Sequence, residues 1–576
     1  MSDTSRAASV RKIFTVLDWL PHYQWKWLRF DLIAALSVWA LLVPQGIAYS
    51  SIAGVPPQYG LYAALGALVG YALFGTSGQV VTGPSAAVAA VSASVVALWA
   101  SAGSEDWVAY TATLAVSAGV IYILLGVLKM GWISHFLSGA VLGGFVFGFG
   151  FGLIVDQTPK ILGLPKAVGS YSDVLVGVVQ NISDTSIPTL IVGVVSILVL
   201  LVFRRFLPLL PRTIIVVILG IVLSRVLDLE SQGVKVVGEI PTGLPSFVWP
   251  DLPPVSPVNV ILGSLAIIFI GYAESLAAAK EEGRRHGYEI DASQEMIGQG
   301  MANVASGLVG GYAVEGSLSK TTVADMAGQK TQLASLITAG LILVTILFLT
   351  GFFTTLPDAV LGAVVIDAGI SLIKFKEFRY YRLSLRDFAA FIATALVVFF
   401  VGVLAGVIAG VLLSLLLLVV SASKSPTHQM AFDREHDVYV HHVTHPEAEL
   451  VPGVLVVGIH GPLFFATADN FRAAVAEYVK AEEPYALVID LSVVTVLDMD
   501  GVRVLGQIAR ELTAEQIRVL LVNVGTAHVE LLRKTGMFDE LGAENFQRTV
   551  RAAVAVAQSS HEPPQPQSSH EPPEPK

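Results

Sequence analysis

The sequence predicts a polytopic α-helical membrane protein with a small α/β domain at its C-terminal end. Of the 576 residues, 54% are hydrophobic and only 14% are charged, more apolar surface than a soluble domain of this size needs. Apolar runs recur roughly every 25 to 35 residues between Asp31 and Ser423, most near the length that crosses a bilayer and some too short or too glycine-interrupted to cross alone. Beyond Ser423 the composition changes, and 21 of the 45 acidic residues fall in that last quarter. The chain has no cysteine, which excludes disulfides, thiolate metal sites and cysteine nucleophiles.

The first thirty residues carry Arg6, Arg11, Lys12, Lys26 and Arg29 and lead directly into a full-length apolar run. No short apolar core with a cleavage site precedes it, so the expectation is a cytoplasmic N-terminus and no removable signal. Trp19, Trp25 and Trp27 beside these charges suit either a helix lying at the membrane interface or a plain surface helix. From residue 31 to 423 the pattern contains about 12 full spans and two short, glycine-interrupted ones, near 14 segments in all. That count, with a cytoplasmic start, puts the basic clusters at Lys129, at Arg204, Arg205 and Arg212, at Lys280, Arg284 and Arg285, and from Lys374 to Arg386 on the inside. The Pro-rich loop from Leu227 to Pro257 falls outside.

Glycines four apart, at Gly144, Gly148 and Gly152 and again at Gly402, Gly406 and Gly410, predict close approach of helix backbones in lipid. The first series, "GFVFGFGFG", is no nucleotide-binding loop, because no strand precedes it and phenylalanines fill the gaps. Residues 424–557 alternate β-rich runs such as "GVLVVGIHGPLFF" and "YALVIDLS" with amphipathic helices, which makes a small α/β domain. Residues 558–576 form a near-duplicated Pro/Ser/Glu tract with nothing to bury, expected to be disordered.

Four elements combine polarity with membrane depth. In "VPQGIAYSSIAGVPPQYG", Pro44 removes a backbone donor inside a span, and Gln45 and Tyr49 lie one turn apart on one face; a kinked helix with satisfied polar contacts is the plainer reading. In "QVVTGPSAAVAAVSAS", an extended piece is followed by Thr82, Gly83, Pro84, Ser85 and Ala86 and a short alanine-rich helix. A half-helix beginning inside the membrane presents free N–H groups and the positive end of its dipole, a ready anion site. "AVEGSLSKTTVADM" repeats the arrangement in the second half, with Ser317, Leu318, Ser319, Lys320 and Thr321 at the helix start after a glycine-rich run. Interrupted segments in both halves point to the central site of a transporter. Lys320 either adds a positive charge there or snorkels to the cytoplasmic surface.

The fourth element is "IIFIGYAESLAAAKEEGRR", where Gly271, Glu274, Ser275 and Ala278 make one small, polar face on an apolar helix. Glu274 is costly against lipid and so faces a cavity or a partner; it balances Lys320, or binds and releases a proton, or is structural. Asp367, with Lys374 two turns later, reads as a structural, helix-pairing acid. His436, His441, His442 and His445 cluster, but without a thiolate and in a linker context they are not read as a metal site. No nucleophile, base and orienter group together, so enzymatic catalysis has no support, and neither a cofactor, a metal nor a nucleic acid is expected.

"VPQGIAYSSIAGVPPQYGLYAA", "VVTGPSAAVAA", "GYAESLAAAK" and "GSLSKTTVADMAGQKTQ", followed by "GPLFFATADNF" and "LVIDLSVVTVLDMDGVRVL", resemble the SulP anion transporters, in order along nearly the whole chain. The resemblance implies two inverted seven-segment repeats arranged as core and gate domains, a cytoplasmic STAS domain and a homodimer. It implies that the anion sits between the half-helices of the third and tenth segments, at residues 82–86 and 317–321, near Glu274 of the eighth, with Gln45 and Tyr49 completing the pocket. Many relatives carry arginine where Lys320 stands, so the charge is kept but a forked grip on an oxyanion is not; many bacterial members have asparagine where this chain has Ala324. Proton-coupled sulfate members carry glutamate at the Glu274 position and sodium-coupled bicarbonate members aspartate, which tilts the expectation to sulfate and protons. Where related soluble regulators have a phosphorylatable serine, this chain reads Asp498, Met499, Asp500, Gly501, so the domain is expected to dock a cytoplasmic partner or support a dimer rather than switch by phosphorylation.

The function expected from sequence is therefore proton-coupled, secondary-active transport of a small inorganic anion, most simply sulfate, across the cell membrane. Alternatives are a sodium-coupled bicarbonate transporter, an exchanger or channel-like conductor, and a STAS-based sensor or scaffold.

Overall fold

Long unbroken helices follow from the composition, since a backbone in lipid must satisfy its own hydrogen bonds. The computed structural model describes residues 14–132, 138–167, 169–206, 212–251, 253–423 and 426–560. Arg6, Arg11, Lys12 and most of the Pro/Ser/Glu tract lie outside the described residues. The first half of the membrane part holds α1 (Leu28–Ala53), α2 (Pro57–Phe74), a two-residue strand β1 (Thr82–Gly83) leading into α3 (Ala86–Val96), α4 (Glu105–Val127), α5 (Gly139–Leu162), a short α6 (Tyr171–Gln180), α7 (Ile187–Phe206) and α8 (Arg212–Val226). The second half repeats the order: α9 (Pro257–His286), α10 (Ala292–Leu308), β2 (Glu315–Gly316) leading into α11 (Leu318–Met326), α12 (Leu333–Val344), α13 (Asp358–Leu372), a short α14 (Phe375–Tyr381), α15 (Leu385–Phe400) and α16 (Val403–Ala422).

With the two short helices set aside, each half has seven segments. An odd number returns the chain to the opposite side, so the second half enters inverted. The packing carries the same symmetry. α2 packs on α10, and the equivalent pairs α2–α12 and α10–α4, α1–α12 and α9–α4, and α1–α3 and α9–α11 all occur. A second group is built on α5 against α13, with α5–α15 mirrored by α13–α7. Seven of the described helices are long and apolar enough to cross alone. The others are short, or carry the polar residues that face the protein interior.

The N-terminal tryptophans do not form one interfacial helix. They sit on a single turn, Val16–Trp19, and a 3₁₀ turn, Trp25–Trp27. Thr15 Oγ1 donates to Gly75 O (2.8 Å) and Trp19 Nε1 to Ala72 O (3.4 Å), so this segment satisfies carbonyls at the end of α2. The loop after α8 is tied down by Val237 N–H donating to Leu356 O and Val248 N–H to Leu308 O.

Close backbone approach occurs in the first glycine series. A Cβ on Gly144 would stand 2.2 Å from Phe391 O, and one on Gly148 would stand 2.5 Å from Ala395 O, both on α15. Gly152 instead meets the Tyr171 ring. The second series differs from expectation. Gly402 lies before α16 at a φ of +130°, with open space beside it, and Gly406 and Gly410 meet side chains of Val398, Val141 and Thr394. The tightest crossing is one that periodicity did not mark: a Cβ on Gly60 would fall 1.9 Å from Gly46 O, between α2 and α1. Gly60→Ala should therefore cost about 1–3 kcal/mol through forced separation of these helices, read as a smaller monodisperse fraction in detergent than for the wild type.

Asp367 pairs helices as expected, and the cations it meets are on other helices rather than Lys374 two turns along the chain. It binds Arg212 (3.0 Å) on α8, with Arg204 at 3.8 Å on α7, while Lys374 pairs with Glu377 (3.3 Å). The i+7 spacing placed a cation nearby along one helix, whereas packing brought two arginines across helices.

Contacts divide the chain into two compact units, residues 1–414 and 415–576. The C-terminal unit has a six-stranded sheet in the order β4-β3-β5-β6-β7-β8, with β3 (Thr427–Asp433), β4 (Val438–His441), β5 (Val454–Ile459), β6 (Ala486–Asp490), β7 (Arg518–Val522) and β8 (Phe546–Gln547). β5 to β8 run parallel and β3 antiparallel to both neighbours. Alternation along β5 serves two cores: Leu455, Val457 and Ile459 pack with α17 (Ala468–Glu482) and α18 (Met499–Ala514), while Val454 and Val456 face the helix Val550–Ser559.

Within this unit the four clustered histidines separate. His436 meets Asp433 (2.8 Å) and His445 meets Thr444 (3.0 Å). The sheet instead gathers His428, His441 and His460 from β3, β4 and the end of β5, with His441 and His460 ring nitrogens 2.9 Å apart. Burial, and secondarily His460, hold His428 and His441 below the usual histidine range. A depressed pKa means that the unfolded chain binds more protons once pH falls below about 6.5. Stability from this cluster is thus fully present above that pH and lost below it. The melting temperature of the C-terminal unit should fall between pH 7.5 and pH 5.5, and by less in His441→Asn.

Candidate functional site

The two half-helices meet. β1 and β2 pair antiparallel with Thr82 opposite Gly316 and Gly83 opposite Glu315. The pairing is extended by Ser317 N–H donating to Val81 O (3.1 Å) and Val81 N–H to Thr321 Oγ1 (3.0 Å). α3 and α11 therefore begin side by side, one from each repeat, with their positive dipole ends in the middle of the membrane part. Ser85 caps α3 by accepting from Val88 N–H (3.3 Å). Ser317 opens α11 without a side-chain cap, which leaves first-turn N–H groups of that helix for a ligand.

Residues 82–86 are all buried, as are Ser317, Lys320 and Thr321, whereas Leu318 and Ser319 are exposed. Ser317 and Ser319 hydroxyls lie 3.1 Å apart. Lys320 does not snorkel. Its side chain is 1% exposed, and Nζ donates to Pro84 O across the strand pair, so the ammonium joins the two half-helices. α1 covers them: it packs on both α3 and α11, Leu42 lies 3.2 Å from where a Gly83 Cβ would stand, and one and two turns on from Leu42 are half-buried Gln45 and buried Tyr49. The Tyr49 hydroxyl lies within electrostatic range of Glu274, Glu315 and Asp367.

The polar face of α9 lies against β2. Ser275 Oγ accepts from Gly316 N–H (2.8 Å) and donates to Gly271 O (2.6 Å). Glu274, one residue earlier, is half-buried and within interaction range of Lys320 and of a second acid, Glu315. Glu315 is 0% exposed and accepts from the Ser85 hydroxyl. Sequence reasoning passed over it, although a glutamate directly ahead of an intramembrane half-helix is itself a signal. Gln299 of α10 was also missed: its Nε2 donates to Thr82 Oγ1 (3.3 Å) and Glu295 Oε1 (3.2 Å).

Away from this site, Glu282, His286 and Asp325 bring possible metal-ligating atoms within 4.8 Å of one another. Arg285 already supplies positive charge there, 3.3 Å from Asp325 and 3.6 Å from Glu282. In the C-terminal unit, Asp498 caps α18 by accepting from Asp500 N–H (3.0 Å) and Gly501 N–H (2.8 Å), and Asp500 is paired with Arg503.

The geometry has counterparts in known proteins. The sulfate permease family model matches residues 28–395, and the STAS domain model matches residues 445–553. The chain belongs to the sulfate permease family. A probable sulfate transporter of Mycobacterium tuberculosis is 31% identical over 556 residues, covering 94% of this chain and 98% of that one. Sulfate transporter 4.1, chloroplastic, of Arabidopsis thaliana is 28% identical over 574 residues, covering 94% and 82%. Among solved structures, murine Slc26a9 in an inward-facing state superposes with a TM-score of 0.88 at 26% identity, over 96% of this chain and 95% of that one. The transmembrane domain of the cyanobacterial bicarbonate transporter BicA shares the fold, with a TM-score of 0.59 at 24% identity, over 67% of this chain and 98% of that one. This permease is thus a multi-pass membrane transporter of anions, not an enzyme, with two inverted repeats and a STAS domain.

Proposed function

We propose that the permease carries sulfate by secondary-active, proton-coupled transport, with the anion held between the N-termini of α3 and α11 and the proton taken by Glu274. The observation that supports this most directly is the pairing of β1 with β2, which sets two helix N-termini and one buried ammonium at a single point. First-turn N–H groups, the Ser319 hydroxyl and the Lys320 charge suit a small oxyanion, with Gln45, Tyr49 and residues 82–86 forming the walls. A carboxyl beside that charge gives the proton a place to ride with the anion.

In this reading the α1–α4 and α9–α12 group moves the anion past the group built on α5 and α13, by alternating access. Residues 31–423 form the transport domain. The N-terminus and the STAS domain face the cytoplasm, in keeping with the basic clusters around Arg204 and Arg284. The STAS domain supports a homodimer or docks a cytoplasmic partner.

The test is uptake of labelled sulfate and bicarbonate into proteoliposomes under imposed proton or sodium gradients. Sulfate accumulation driven by a proton gradient is the expected result. Bicarbonate accumulation driven only by sodium would overturn it, as would unsaturable flux proportional to the driving force, the mark of a channel. Removal of residues after 425 should preserve sulfate binding; loss of binding would instead favour a STAS-centred scaffold.

A further inference from the structure

Glu315 occupies a place that anion binding alone does not explain. Its carboxyl is fully buried beside the starts of two half-helices that otherwise favour an anion, and next to another acid. Oε1 accepts from the Ser85 hydroxyl. Oε2 is buried and receives no hydrogen bond among the described residues. On that side stands α9: a Cβ on Gly271 would lie 3.5 Å from Oε2, and the Glu274 carboxyl, one turn further along the same face, lies within interaction range of that of Glu315. Two ionised carboxylates offer each other only acceptors and repel at that range; a hydrogen bond between them exists only when one holds a proton.

We propose that Glu274 and Glu315 form one proton-sharing pair, and that this pair, rather than Glu274 alone, takes up the proton that accompanies the anion. The proposal rests on the proton-coupled reading above. Charge bookkeeping supplies the physical reason. Lys320 is the cation that bears on both acids, so with both acids ionised the three groups are net negative and oppose an incoming anion. One proton makes them neutral and a second makes them net positive. Anion affinity then depends on the protonation of the pair, and by linkage the bound anion strengthens proton binding equally.

The other titratable groups facing the pair do not remove this dependence. Tyr49 comes from α1 and Tyr122 from α4, and neither brings a cation. Lys374 reaches Glu274 only at longer range and is paired with Glu377 at 3.3 Å. Glu295 on α10 is satisfied separately by Tyr71 (2.9 Å), Thr76 (2.5 Å) and Gln299 (3.2 Å).

The experiment is calorimetric titration of full-length protein in detergent with sulfate, in two buffers of different ionisation heat and across a pH series, which counts protons taken up per sulfate bound. One linked proton lowers sulfate affinity about tenfold per pH unit on the alkaline side. The wild type should show this slope, and both Glu315→Gln and Glu274→Gln should flatten it and change the proton count. Glu315→Asp, which keeps the acid but shortens its reach, guards against misfolding of the amide variant and should flatten the slope partly. An infrared difference spectrum on adding sulfate should show a protonated-carboxyl carbonyl band in the wild type that either glutamine variant alters. Wild-type slope, proton count and band in folded Glu315→Gln, with only Glu274→Gln changed, would overturn the pair and leave coupling through Glu274 standing. Sulfate binding without proton uptake in the wild type would overturn both.

Discussion

Glu274→Gln is expected to abolish sulfate accumulation driven by a proton gradient while sulfate exchange across the membrane continues. The amide keeps the volume and polarity of the side chain, so the approach to Glu315 and the packing of α9 on β2 are retained. It has no exchangeable proton, and it leaves Glu315 without the second carboxyl with which the proton is shared, so anion movement is no longer tied to the gradient. The neutral variant resembles the protonated wild type, the form able to hold the anion, which is why exchange survives. Accumulation should fall to the equilibrium level in proteoliposomes with an acid exterior, while counterflow of labelled against unlabelled sulfate persists. Sulfate still concentrated by the variant against its gradient would sink the coupling role of this residue.

Lys320→Ala is the second large effect, with apparent sulfate affinity at least tenfold weaker, or about 1.4 kcal/mol. The ammonium has two tasks in this fold. It is the positive charge beside Glu274 and Glu315, and it supplies the donor to Pro84 O that joins the half-helices. Truncation leaves a buried carbonyl without its partner and two acids without a cation, each of which costs free energy. Lys320→Arg separates the tasks, because the charge returns but a planar guanidinium must fit where Nζ would lie 3.9 Å from a Gly83 Cβ. Binding by the arginine variant should fall between that of wild type and alanine. Equal affinity in wild type and Lys320→Ala, measured by sulfate titration, would remove the lysine from the anion site.

Much of this site was legible because intramembrane polarity is costly and therefore concentrated. Residues 82–86 and 317–321 announced themselves as hydroxyls, glycines and a proline between apolar runs, and α9 as one polar face on an apolar helix. The meeting of Glu315 with Glu274 was not legible, although Glu315 sits in the same stretch as Lys320, since nothing in linear order says that a strand of two residues will carry it toward Glu274. The histidines near residue 440 misled for the same reason: closeness in sequence suggested one cluster, whereas the register of β3, β4 and β5 assembled another with His428 and His460. The glycine series at 402–410 misled because spacing alone does not reveal that Gly402 lies outside the helix at a positive φ.

By itself, the sequence determined the membrane class, the α/β domain at the end, the two interrupted segments and the charge that distinguishes them. These follow from transfer free energies and local backbone preferences, which act residue by residue. Only the tertiary structure decided that Lys320 joins the two repeats instead of reaching solvent, that Asp367 answers to Arg212 rather than Lys374, and that two acids 41 positions apart in the chain share one enclosed space. Those outcomes depend on which helix faces meet when two inverted halves pack, and a one-dimensional pattern does not contain that pairing.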